Sequence, residues 1–179
     1  MSQVEFVVTD RAVGQCYPFW TVANWNRPYR LLEPESIDRL RGYAPFVDEL
    51  NCVYLLGGRD PEHNRWFLGT GPDGSLRADF SGMIDQLRAA LDRGYTPRIV
   101  LDNVPYAMSN PPEENFYGNT APPADERLWH RYVKAAVQAM VDAFGSRTVG
   151  EWWFRAGTEP DLLPGHWCGT KEQYFAHYD

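Results

Sequence analysis

The chain has 179 residues, 44% of them hydrophobic and 15% aromatic, which is enough for one real core and too apolar for a disordered segment. Its net charge of −7, with no basic stripe, argues against nucleic acid as a partner. No run approaches the length of a membrane span. The opening MSQVEFVVTDRAVGQ lacks the basic and apolar regions of a secretory signal, so the sequence names no compartment.

Strand and helix signals alternate. Val4–Thr9 and Tyr17–Ala23 read as strands, Ser36–Tyr43 as a weak helix, and Asn51–Leu56 as a compact apolar strand. Residues 57–78 read as a polar, glycine-rich loop. Asp79–Phe80–Ser81 then opens a helix whose apolar face is Phe80, Met83, Ile84, Leu87 and Leu91, stopped by Gly94. Arg98–Leu101 is the next strand, and residues 102–123 form a long loop rich in proline and asparagine. The strongest helix runs from Ala124 to Phe144, with Leu128, Trp129, Tyr132, Val133, Ala136, Val137, Met140, Val141 and Phe144 in one stripe, and Gly145 closes it. Thr148–Arg155 reads as a strand. Thr170 with Gln173 forms the signature of a capping box that opens a last helix.

This alternation favours a parallel sheet with helical crossovers. No glycine-rich phosphate fingerprint follows the first strand, so a dinucleotide fold is not supported. The long loops follow strands and the helix-to-strand turns are short, the asymmetry of a β/α barrel with its site at the strand C-terminal ends. A complete barrel takes about 250 residues. The expectation is therefore an α/β fold covering about the first four β/α units of a TIM (β/α)8 barrel. Residues 1–179 would be the N-terminal part of one domain, cut within the fourth helix.

Chemistry-bearing residues gather after the strands. WWFRAGTEPD (152–161) delivers Glu159 from a strand end into a loop with His166 and Trp167. Trp153, Phe154 and Trp167 are expected to surround that carboxyl, and Pro160 to hold Glu159 extended. Most glutamates at such positions are merely solvated, and a lone loop histidine often has no chemical task. Asp102 and Asn103 follow the preceding strand and suit either sugar hydroxyls or a turn. Asn24 and Trp25 follow the strand at Tyr17–Ala23; the tryptophan suits stacking on a sugar face or core packing. Arg59 follows the Asn51–Leu56 strand and suits an acidic sugar or plain solvent. Trp129, Tyr174 and Tyr178 are read as packing residues. The cysteines Cys16, Cys52 and Cys168 lack metal-ligand spacing and read as inert thiols.

Three stretches resemble glycoside hydrolase family 39: DFSGMIDQLRAALDRGYTPRIVLDNVPYAMS, PPADERLWHRYVKAAVQAMVDAFGSRTVGEWWFRAGTEPD and HWCGTKEQYFAHYD. The match runs from about Asp79 to Asp179, with looser likeness before it. The resemblance implies a retaining glycosidase of the β-xylosidase or α-L-iduronidase type on a (β/α)8 barrel. Glu159 would correspond to the acid/base glutamate of the family's Asn-Glu-Pro, and the nucleophile would lie on a seventh strand outside these residues. This chain has Thr158 where the family has asparagine, a shorter group with one donor where an amide has two. It reads Leu56–Gly57–Gly58–Arg59 where the family often has a histidine. The implied partner is a carbohydrate substrate, and the chemistry needs no metal or organic cofactor. The residues leave the oligomeric state open, and the 179-residue chain alone is expected to be inactive. A carbohydrate-binding barrel without catalysis is the alternative reading. A different family of the same barrel clan, β-galactosidase- or mannanase-like, is a third.

Overall fold

In a computed structural model, residue 14 and residues 21–25, 30, 32, 33, 35, 45–59 and 62–178 are described. The strand expected at Val4–Thr9, most of that at Tyr17–Ala23, the helix at Ser36–Tyr43 and Cys16 lie outside them.

Four short parallel strands form the main sheet: β1 (Val22–Trp25), β2 (Glu49–Cys52), β5 (Thr96–Leu101) and β8 (Trp153–Ala156), adjacent in the order β1-β2-β5-β8. Each strand lies beside the previous one of the sheet. That is the order of a barrel arc, whereas a doubly wound sheet reverses direction. Two antiparallel hairpins sit outside this sheet: β3 (Phe67–Thr70) with β4 (Leu76–Ala78), and β6 (Glu114–Asn115) with β7 (Gly118–Asn119). They occupy the two segments expected to be loops without structure. Strands of two to four residues are too short to leave an alternating pattern in the sequence.

The two long helices among the described residues follow the sequence reading closely. α1 (Ser81–Leu91) buries Met83 and Leu87, and α2 (Glu126–Phe144) buries Trp129, Tyr132, Ala136 and Met140. Asp125 caps α2 by accepting from the Leu128 N–H, and Gly145 ends it in a left-handed conformation open to glycine (φ 84°). Together with Leu50, Leu55, Leu56 and Ile99 these residues make the core between sheet and helices. The Tyr132 hydroxyl donates to the Leu56 carbonyl across that core at 2.7 Å.

Two of the expected strands are shorter than the sequence suggests. Thr148–Arg155 is not one strand: a short helix α3 (Ser146–Gly150) precedes β8. Val149 and Trp152 are both buried, and their three-residue spacing suits a helical turn. Asn51–Leu56 is likewise strand only to Cys52; residues 53–56 turn, with Tyr54 at φ 64°. The last helix, α4 (Lys171–Tyr178), opens on the expected capping box: the Gln173 side chain accepts from the Thr170 N–H at 2.8 Å, and the Thr170 hydroxyl accepts from the Gln173 N–H at 3.2 Å. Tyr178, read as a packing residue, is instead 65% exposed. Among the described residues no helix is long and apolar enough to cross a membrane.

Candidate active site

The C-terminal ends of β2, β5 and β8 converge on one cleft. Tyr54 comes from the turn after β2, Asp102 and Asn103 from the end of β5, Gly157 and Thr158 from the end of β8, and His166 and Trp167 from the following loop. The β6–β7 hairpin closes one side with Tyr117 and Asn119, and α4 closes another with Tyr174 and His177.

Asp102 ties two strands together. Its buried carboxylate accepts from the Tyr54 N–H (3.3 Å) and from the Thr158 hydroxyl (2.8 Å). Burial pushes its pKa up; the hydrogen bonds from Thr158 and Tyr54, the Arg155 guanidinium and the nearby His166 ring oppose that rise. Arg155 donates a further hydrogen bond to the Thr158 oxygen at 3.1 Å. The Thr158 hydroxyl is thus committed in both directions.

Asn103 spends its amide hydrogens on the Tyr117 and Asn119 carbonyls, at 3.0 and 2.9 Å, which seats the hairpin loop. Its Oδ1 is buried and unpartnered. Asn119, which the sequence reading did not single out, organises the same loop. Its amide donates to the Val104 carbonyl and the Ser109 hydroxyl and accepts from the Glu113 and Ala121 N–H groups. The signal available was the asparagine content of the 102–123 segment, since asparagine bonds backbone groups locally.

Glu159 lies between Thr158 and Pro160, which line the cleft, and is more open than expected. Its side chain is 62% exposed, and Trp153, read as a neighbour enclosing it, is itself exposed on the sheet. Its backbone is left-handed (φ 45°) rather than extended. The physical reason is the turn that follows, in which the Leu162 N–H donates to the Glu159 carbonyl at 3.0 Å, so the chain reverses within three residues of the strand's loop. A non-glycine residue held in this region costs of order 1–3 kcal/mol and occurs preferentially at functional sites.

His166 is folded beneath this turn. One ring nitrogen, Nδ1, lies 2.9 Å from the Thr158 carbonyl, and the ring packs on Tyr117 with centroids 4.0 Å apart. Nε2 lies 3.6 Å from Glu159 Oε2. Trp167 is buried in the cleft wall against Tyr174 and His177, with its indole N–H on the Thr170 carbonyl.

Arg59 sits in an aromatic box. Its guanidinium lies over the rings of Tyr54, Phe116 and Tyr117 and donates to the Phe116 carbonyl. Tyr54 was missed as a site residue because it lies within an apolar run. Its phenol is pushed up to about 12, chiefly by burial; Arg59 opposes that shift, while Asp102, Tyr117 and Glu159 add to it. Asn24 and Trp25 end β1, on the same rim of the sheet as the other strand ends. Cys52 is buried, with its thiol pushed up to about 12, while Cys168 is exposed. Among the described residues no cluster of histidine, cysteine and carboxylate side chains is arranged to hold a metal.

Known proteins resemble this chain in sequence and in fold. A beta-xylosidase from Caldicellulosiruptor saccharolyticus is 30% identical over 108 residues, covering 59% of this chain and 22% of that protein. An alpha-1,4-L-rhamnosidase from Formosa agariphila is 30% identical over 110 residues, covering 56% of this chain and 22% of that protein. The crystal structure of a monomeric beta-xylosidase from Caulobacter crescentus matches 94% of this chain and 34% of its own, with a TM-score of 0.75 at 23% identity. The chain therefore spans a minor part of each relative's length. The structural match shows the fold, an arc of a (β/α)8 barrel. The model of glycosyl hydrolases family 39 matches residues 11–179, nearly the whole sequence, and on that match the chain belongs to family 39 of the glycosyl hydrolases.

Proposed function

We propose that residues 1–179 form the first four β/α units of the catalytic barrel of an O-glycosidase, with Glu159 as its general acid/base. The observation that carries this reading is the place of Glu159. It follows the C-terminal end of β8, between Thr158 and Pro160 and 3.6 Å from His166, three residues that line a cleft built from three strand ends, in a chain of a glycosidase family.

In a retaining mechanism Glu159 protonates the glycosidic oxygen as the C–O bond breaks. A second carboxylate, about 5–5.5 Å away, attacks the anomeric carbon. Glu159, now a carboxylate, then takes a proton from the water that releases the sugar. We place the second carboxylate on a later strand of the complete barrel. Asn103 Oδ1, a buried acceptor without a partner on the cleft wall, suits a sugar hydroxyl, and the Trp167 ring supplies an apolar face. We assign Trp25 and Asn24 to the same binding rim because their strand ends beside β2. Arg59, with its charge spread over three rings, acts as a brace for the hairpin. Thr158, bonded to Asp102 and Arg155, sets the position of the Glu159 backbone.

The relatives are named for different sugars, xylose and rhamnose, so the first panel contains aryl xylosides and aryl rhamnosides in both anomeric configurations. The full-length protein is expected to hydrolyse one of them. Glu159→Gln is expected to lose activity by about 10²–10⁴ on substrates with poor leaving groups. Equal rates for the variant and the wild type on such a substrate would overturn the assignment. The committed Thr158 hydroxyl favours one other reading, a barrel that binds sugar without cleaving it. Saturable sugar binding with no turnover on any substrate would support that reading instead.

A further inference from the structure

We propose that His166 is the positioning residue of the acid/base, holding the proton-bearing oxygen of Glu159 at the cleft mouth until a glycosidic oxygen takes over the hydrogen bond. This rests on the reading of Glu159 given above. The geometry behind it is local to one loop. The Thr158 carbonyl can only accept, so the ring nitrogen 2.9 Å from it, Nδ1, carries the hydrogen. When that is the ring's one hydrogen, Nε2 presents a lone pair. That atom is buried and has no hydrogen-bond partner, and it points at the Glu159 carboxyl 3.6 Å away.

A buried ring nitrogen without a partner is uncommon enough to need a reason. Among the described residues, His166 is also the polar side chain that meets the Glu159 carboxyl. Glu159 is otherwise exposed and free to change rotamer, whereas His166 is clamped by Thr158 and by the Tyr117 ring. A modest turn of the glutamate closes 3.6 Å to hydrogen-bond distance. The rigid partner thus selects one direction for the mobile one. Such a carboxyl is aimed before substrate arrives, which reduces what binding must spend on orientation. On reaction the proton moves from Glu159 to the leaving oxygen, the glycosidic C–O bond breaks, and Nε2 is left facing the mouth of the cleft.

The two amide variants separate this role from a purely structural one. In His166→Asn the amide nitrogen takes the place of Nδ1, keeps the Thr158 contact and removes Nε2. In His166→Gln the longer side chain returns a polar atom to the place of Nε2. Each is compared with wild type on two aryl glycosides of the same sugar in the full-length protein, one with a poor leaving group that needs protonation and one with a strongly activated leaving group that does not.

The ratio of the two rates (poor over activated) is expected to fall about tenfold in H166N, a fraction of the roughly 10²–10⁴ that a general acid supplies, and to recover most of that loss in H166Q. The variant's turnover of the activated substrate is itself the check that it has folded. If H166N keeps the wild-type ratio, or if H166Q loses activity equally on both substrates while H166N does not, His166 only braces the loop and the inference is wrong. Glu159→Gln is run beside them. Should it match wild type on both substrates, the reading of Glu159 falls and takes the role of His166 with it.

Discussion

At the scale of single residues, the site is organised by hydrogen bonds that a sequence cannot display. That Glu159 and His166 share one short loop after a strand was legible. That Asp102 reaches across to Tyr54 and Thr158 was not legible, since those partners lie 48 and 56 positions away along the chain. The consequence can be measured. Asp102→Ala leaves the buried Tyr54 N–H without an acceptor and is expected to cost about 1–3 kcal/mol of stability. Asp102→Asn is expected to cost less. Its oxygen can still serve Tyr54, and its amide can donate to a Thr158 hydroxyl that has turned around. It also removes an ionisable group whose charged form is disfavoured by burial. Denaturant unfolding of the two variants tests this order; equal losses would mean that Asp102 does not tie the strands.

At the scale of elements, long amphipathic helices were plain in the sequence, and short β pieces were not. α1 and α2 each carry several apolar residues at helical spacing, so their bounds could be read to within two residues. β3, β4, β6 and β7 have at most four residues each, and their sequence signature is lost among turn residues. The β6–β7 hairpin depends on close backbone approach. Gly118 has φ 94°, and a Cβ there would stand 2.3 Å from the Gly58 carbonyl oxygen and 2.7 Å from the Arg59 backbone. Gly118→Ala is therefore expected to lift the hairpin from the 58–59 turn and unseat Tyr117 beside His166. Limited proteolysis is expected to cut faster within residues 110–120 in this variant, while helix content measured by circular dichroism stays the same. Unchanged protection of that segment would show that the hairpin tolerates the side chain.

At the scale of the whole molecule, the barrel order could be inferred from loop lengths because crossovers in a parallel sheet must be long and turns back to the sheet can be short. What could not be inferred is how α4 docks. His177 does much of that: it stacks on Trp129 of α2 with centroids 4.8 Å apart and 13° between planes, and packs on Trp167 of the cleft wall. Burial, helped by His130, pulls its pKa from 6.5 to about 4. Between those values the unfolded chain binds a proton that the folded chain refuses. Stability therefore falls as pH drops from 6.5 towards 4, by about 3 kcal/mol at the limit. Asp102, whose pKa is raised, works in the opposite direction across the ordinary carboxylate range. Comparison of wild type with His177→Phe isolates the histidine: the variant is expected to lose much of the acid sensitivity in that window, and parallel curves would contradict it.

The central claim is that Glu159 supplies and then removes the proton in a two-carboxylate glycosidase. The most direct measurement is hydrolysis of an activated aryl glycoside by the full-length Glu159→Ala protein with and without azide. With the base gone, water attacks the glycosyl-enzyme slowly, and the small anion can enter the space left by the carboxyl. The account predicts that azide raises the rate and that the product is a glycosyl azide of retained configuration. A Glu159→Ala protein that turns over like wild type, or one that azide leaves unaffected, would contradict it.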